Sequence, residues 1–150
     1  MPRGYNELAS LERQSAAVAP EAAGAEIEVH TTELATLDSF GFGPVGLLKI
    51  DVEGHELKVL DGARTTLQRF HPTVLIEVEE RHSRGGIARV REMLEGLGYE
   101  GYFVDGHRMR SIAEFDPERD QNAAALARSI KVGRYINNFI YLERRGAAER

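Results

Sequence analysis

Two short stretches concentrate the side chains that can do acid–base chemistry. Asp51, Glu53 and His55 make up the first, and Glu77, Glu79, Glu80 and His82 the second. Each follows an apolar run, Val45 to Ile50 in the first case and Val74 to Ile76 in the second. Carboxylates gathered on one rim repel each other's charge, which raises their pKa values unless a cation or hydrogen bonds offset it. A carboxylate raised in this way, or a histidine near neutral pH, can serve as general base. The same oxygen and nitrogen donors suit Mg²⁺, Mn²⁺ or Zn²⁺. The spacing of Asp51, Glu53, His55 and Glu77 matches no metal motif, so no metal ligand is assigned.

Placing those groups on one rim requires two neighbouring parallel strands. Val45 to Asp51 reads as the first and Val74 to Val78 as the second, both apolar on two faces, as in a parallel sheet covered on both sides. Between them Leu57, Leu60, Ala63, Leu67 and Phe70 recur at helical spacing, which predicts a helix from about Glu56 to Phe70. Pro72 forbids its continuation. A second helix, Gly86 to Leu97, turns Ile87, Val90, Met93, Leu94 and Leu97 inward and is stopped by Gly98. Tyr99 to Val104 is a third strand, followed by the turn signal Asp105-Gly106. Asp116-Pro117 reads as an N-cap with proline at the first helical position. Gln121 to Ile130 is Ala-rich and helical, and Tyr135 to Leu142 is the last strand. Upstream, residues 1–25 are weakly patterned, Glu26 to Thr32 alternates as a half-buried strand, and Leu34 to Phe40 connects. Residues 26–143 thus form one α/β domain, and residues 144–150 read as a frayed tail.

Composition excludes several functions. The length of 150 residues fits one domain. The formal net charge of −5 and the lack of any Lys/Arg cluster argue against nucleic acid as a partner. With no cysteine there is neither a disulfide framework nor a thiolate site. The polar start, MPRGYNELASL, is no signal peptide, and no apolar run is long enough to span a membrane. A cytoplasmic protein without a membrane partner is expected.

The block TLDSF (Thr36 to Phe40), the stretch LLKIDVEGHELKVLDGA (Leu47 to Ala63), HPTVLIEVE (His71 to Glu79) and the closing INNFIYL (Ile136 to Leu142) resemble the FkbM-type family of S-adenosylmethionine-dependent methyltransferases. The likeness runs from about Asn6 to Leu142 and covers the later part of the family's domain. It implies a Rossmann-like methyltransferase sheet, S-adenosylmethionine as cofactor, and O-methylation of a small hydroxylated metabolite or sugar. The family's first strand ends in a glycine-rich turn against the cofactor, where glycine lets the backbone approach the ligand. No such turn is found in this sequence, so the N-terminal glycine-rich βαβ part is expected to be missing. By resemblance, Asp51 stands at the strand end that faces the cofactor methyl and the substrate. It is assigned to both catalysis and cofactor binding. Glu53 and His55 are the further catalytic candidates, and Glu77 and Glu79 line the substrate rim.

Plainer roles compete. Asp51 is a favoured N-cap type ahead of a helix. Glu79, Glu80 and His82 also read as a solvated face. Lys49 is a natural ion-pair partner for a rim acid, and Asn137-Asn138 either bond loop backbone near the crevice or form a turn. Two functional alternatives stand beside the methyltransferase. One is a noncatalytic remnant or split-enzyme half. In it, the edge left bare on the Leu47–Asp51 strand is covered by Glu26–Thr32, by a second copy or by a complementing chain. The other is a metal-dependent hydrolase using the acidic rim.

Overall fold

A computed structural model describes residues 32–122 and 135–144. The chain divides into two units, Met1–Ala35 and Thr36–Arg150, and every element below belongs to the second. Five strands make one sheet: β1 (Leu47–Ile50), β2 (Thr73–Glu77), β3 (Tyr99–Asp105), β4 (Arg108–Ser111) and β5 (Asn138–Glu143). Their order across the sheet is β1-β2-β5-β3-β4. β1 and β2 run parallel, and β5 lies antiparallel between β2 and β3. β3 therefore runs the same way as β1 and β2, as expected of strands joined by helical crossovers. β4 was not anticipated; it folds back on β3 through Asp105-Gly106 as a hairpin. The sequence RMRS carries no alternation of apolar and polar residues that would mark a strand.

The helices are α1 (Glu56–Asp61), α2 (Arg64–Phe70), α3 (Gly86–Gly96) and the single turn α4 (Pro117–Asp120). One helix was expected from Glu56 to Phe70, and there are two. The break has a visible cause. The carbonyl of Gly62 accepts from the N–H of Asp38, 2.9 Å away. A Cβ on Gly62 would stand 3.1 Å from Cβ of Thr36, tighter than ordinary van der Waals contact, so glycine lets the connector lie this close. The Asp38 carboxylate then accepts from the N–H groups of Thr65 and Thr66 at 2.8 and 2.9 Å and from the Thr66 hydroxyl at 2.7 Å. It caps α2 from a distant part of the chain, satisfying N–H groups that a helix start leaves unpaired. Burial opposes ionisation of Asp38, but the Thr66 hydroxyl and the Thr65 and Thr66 N–H groups outweigh it and hold the acid at about 2.

The core lies on one face of the sheet. Ile50, Val74, Ile76, Val78, Phe139, Tyr141, Tyr99 and Phe103 meet Leu60, Leu67, Ile87, Val90 and Leu94 from the helices. Each fully buried aliphatic here contributes ~1.5–3 kcal/mol. The opposite face is more open. In β1 Leu47 and Lys49 are exposed, Leu48 is half-buried and Ile50 is buried, with Leu47 60% exposed. The expectation that β1 and β2 are buried on both faces is thus corrected for β1. It ends the sheet, with β2 as its one neighbour among the described residues. In α3, Ile87, Val90 and Leu94 are buried and Met93 and Leu97 pack at the margin, as the spacing predicts. Asp116 caps α4 through the N–H groups of Glu118 and Arg119, with Pro117 at the first helical position. Arg144 still pairs, its N–H donating to the Gly98 carbonyl at 2.8 Å. The readings for residues 1–25, for the strand up to residue 31, for the helix beyond residue 122 and for the tail beyond Arg144 lie outside the described residues.

Candidate functional site

The register sets the centre of the site. Ile50 pairs with Ile76 in the parallel ladder. One residue further, Asp51 and Glu77 stand side by side at the carboxyl ends of β1 and β2, where ligands bind in open α/β sheets. Asp51 is paired with Lys49 at 2.9 Å, both about half exposed. Strand alternation puts Lys49 and Asp51 on the same face. Glu77 takes neutral donors instead. Asn137 Nδ2 donates to its Oε1 at 2.6 Å, and Asn138 Nδ2 reaches Oε2 at 3.5 Å. Burial, then the charges of Asp51 and Glu79, push the Glu77 pKa up, while Lys49 and the Asn138 amide oppose them. The crowding expected from the sequence acts on Glu77.

It does not act on Glu79. That side chain is only 6% exposed. Arg81 grips it in a fork at 2.6 and 3.0 Å, and the Tyr135 hydroxyl donates to Oε2. Burial opposes ionisation, but the hydrogen bonds from Arg81 and Tyr135 and the Arg81 charge hold its pKa below the usual range. Burial, and then donation to Glu79, push Tyr135 up to about 12. Glu80 turns the other way and caps α3, accepting from the N–H groups of Gly85 at 2.5 Å and Ile87 at 3.2 Å. The solvated face expected for Glu79 and Glu80 is therefore corrected: one is locked in an ion pair, the other is a helix cap.

The turn after β1 is tight. Glu53 has φ +42° and Gly54 has φ +95°, a region open to glycine and costly for other residues. A Cβ at Gly54 would stand 3.3 Å from the His82 carbonyl, which brings this turn against the loop after β2. The buried Glu56 carboxylate accepts from the Gly54 N–H at 2.7 Å and closes the turn. His55 occupies the N-cap position of α1 and makes no side-chain cap bond. Asp51 is thus not the N-cap; its carboxylate goes to Lys49. Glu53 stays exposed, and its charge acts on Arg81 across the loop.

Two contributors, Gln121 and Tyr135, escaped sequence reading. The buried amide of Gln121 donates to the carbonyls of Val78 at 2.7 Å and Ile136 at 2.9 Å, and accepts from the Glu80 N–H at 2.9 Å. It ties the end of β2 to the start of β5. Tyr135 and Asn137 reach their acids across 56 and 60 residues of sequence. The expectation that Asn137-Asn138 bond loop backbone is refined: their side chains bond the Glu77 carboxylate. Among the described residues no group of three or more His, Asp and Glu is placed to hold a metal ion. A cleft of about 490 Å³ lies beside α3, lined by Glu80, Ile87, Arg91 and Phe115, and touches neither Asp51 nor Glu77. Among the described residues no helix is long and apolar enough to cross a membrane.

No curated protein and no solved structure matches the chain. The family model described as the methyltransferase FkbM domain matches residues 3–101, which include β1, β2, the acidic turn and the loop carrying Glu79 and Glu80. The chain belongs to the FkbM methyltransferase family.

Proposed function

We propose that this protein transfers a methyl group from S-adenosylmethionine to the hydroxyl oxygen of a small acceptor, a sugar or another hydroxylated metabolite, on a Rossmann-like sheet. The observation that carries this reading is the placement of Asp51 and Glu77 side by side at the carboxyl ends of two parallel strands. When bound, S-adenosylmethionine supplies an electrophilic methyl group on a cationic sulfonium. Asp51, Glu53 and Glu77 give the rim the negative charge that suits such a cation. Asp51 is the residue assigned to hold and orient it, steadied by Lys49 at 2.9 Å. Orientation is the main contribution the rim can make to an in-line displacement. The family's glycine-rich turn, which the sequence is expected to lack, is not among the described residues.

The test is calorimetric titration of the full chain with S-adenosylhomocysteine. Micromolar binding that Asp51→Asn weakens supports the reading, and a folded chain that binds none overturns it. The single-sided pairing of β1 and the exposure of Leu47 support a second reading, in which a complementing chain or a second copy covers that edge. Light scattering on the same sample decides it: a monomer that binds the cofactor product needs no such partner.

A further inference from the structure

Assigning methyl transfer to this rim leaves open which group takes the acceptor's proton. Most carboxylates around the site are already committed. Asp51 is paired with Lys49, and Glu79 is held by Arg81 and Tyr135. Glu56 closes the turn, Glu80 caps α3, and Asp38 caps α2. Glu77 differs in the nature of its partners, which are the neutral amides of Asn137 and Asn138.

The amides are also oriented. Asn138 Nδ2 donates to Asn137 Oδ1 at 2.9 Å, which turns the Asn137 amine towards Glu77. The Asn137 backbone is fixed in turn, its carbonyl accepting from the Val78 N–H at 2.8 Å. Glu77 Oε1 therefore holds one short bond. Among the described residues Oε2 has only the long 3.5 Å contact, and it has capacity for another donor.

We infer that Glu77 is the general base of the transfer, receiving the acceptor's hydroxyl proton on Oε2, and that Asn137 is the positioning residue that aims it. The inference rests on the methyltransferase reading and deepens it. The proton passes to Glu77 as the acceptor oxygen bonds to the methyl carbon. The carbon–sulfur bond breaks with its electron pair on sulfur, leaving neutral S-adenosylhomocysteine. A neutral amide orients a carboxylate without cancelling its charge, whereas an arginine fork, as on Glu79, lowers its basicity. The groups that set Glu77's titration are Asp51 and Lys49 from β1, Glu79 from the loop after β2, and the Asn138 amide from β5.

Two measurements on the full chain test this. One is carbon-detected NMR titration of the Glu77 carboxylate. The other is transfer of labelled methyl from S-adenosylmethionine to a mixture of monosaccharides, followed as a function of pH. Glu77 should titrate above ordinary carboxylates, lower in Asp51→Asn and higher in Asn137→Ala. Glu77→Gln should slow transfer by ~100-fold or more while S-adenosylhomocysteine affinity is kept. Asn137→Ala should lower kcat, leave KM for the methyl donor unchanged, and move the acid limb of the pH profile upward. An ordinary titration midpoint for Glu77, or a Glu77→Gln variant as fast as the parent, overturns the inference and leaves methyl transfer standing. A parent chain that neither binds S-adenosylhomocysteine nor transfers methyl overturns both.

Discussion

Asp38 and Glu77 are two carboxylates bonded by residues far away in sequence, and their environments drive them in opposite directions. Asp38 receives two backbone N–H groups at a helix start and a hydroxyl, and it sits at about 2, well below an ordinary 3.8. Glu77 receives side-chain amides and lies beside two other acids, and it is pushed up. The lesson concerns donors. Backbone N–H groups at a helix N-terminus fix the charged form and make an acid part of the scaffold. Flanking acids with neutral donors leave an acid more basic than an ordinary carboxyl.

The largest expected effect tests whether Asp51 belongs with Glu77 or with Asp38. Asp51→Asn should cut methyl transfer by ~100-fold, equivalent to ~2.7 kcal/mol, with the melting temperature nearly unchanged. Loss of stability with activity retained would move Asp51 to the scaffold side. Next comes Glu79→Leu. It strands the Tyr135 hydroxyl and the Arg81 fork beside a buried apolar group. Arg81 is half exposed and turns to water, so the cost falls mainly on the Tyr135 hydroxyl and should be about 1 kcal/mol, to be read from urea unfolding. A neutral result would mean that Arg81 and Tyr135 find water as readily as Glu79.

Asp38→Asn is a smaller change and carries a pH signature. A folded-state pKa depressed from 3.8 to about 2 adds stability above pH 4 that is lost as pH falls towards 2. The variant should melt a few degrees lower at neutral pH. Its melting temperature should also fall less than the parent's between pH 4 and pH 2. Parallel curves for the two proteins would remove Asp38 from the scaffold.

How much of this was legible in the sequence depends on the range of the interaction. The strand ends at Asp51 and Glu77 were legible because an apolar run stopped by an acid is a local pattern. So was the Asp116-Pro117 start of α4, where the capping bonds span two or three residues. The break at Gly62 was not. Leu57, Leu60 and Leu67 keep helical spacing through both α1 and α2, and the cause of the break is a connector more than twenty residues upstream. The split between Glu79 and Glu80 was equally hidden. Both follow the same strand, and only their partners distinguish them, Arg81 and the distant Tyr135 for one and the Gly85 and Ile87 N–H groups for the other. In the site, residue types and positions were readable and Lys49 was a foreseeable partner for a rim acid, but the partners of Glu77 and Glu79 were not, because Tyr135, Asn137 and Asn138 reach them from 56 to 61 residues away.

The smallest effect probes the boundary of the comparison, at Lys49. Its ion pair with Asp51 is half exposed on both sides. Surface pairs of this kind contribute ~0–1 kcal/mol, so Lys49→Met should shift stability by less than about 0.5 kcal/mol. Its influence on Glu77 is the sharper readout. Lys49 is the cation that opposes the upward push from Asp51 and Glu79. Removing it should raise the Glu77 midpoint further and carry the acid limb of any transfer profile with it. The same lysine sits on the sheet-ending strand, where a charge discourages strand addition. Lys49→Met should therefore also raise the tendency to associate, seen as a concentration-dependent mass. A variant whose Glu77 midpoint stays put would show that solvent already screens Lys49 from the rim. The contrast with Asp38 would then rest on Asp51, Glu79 and burial.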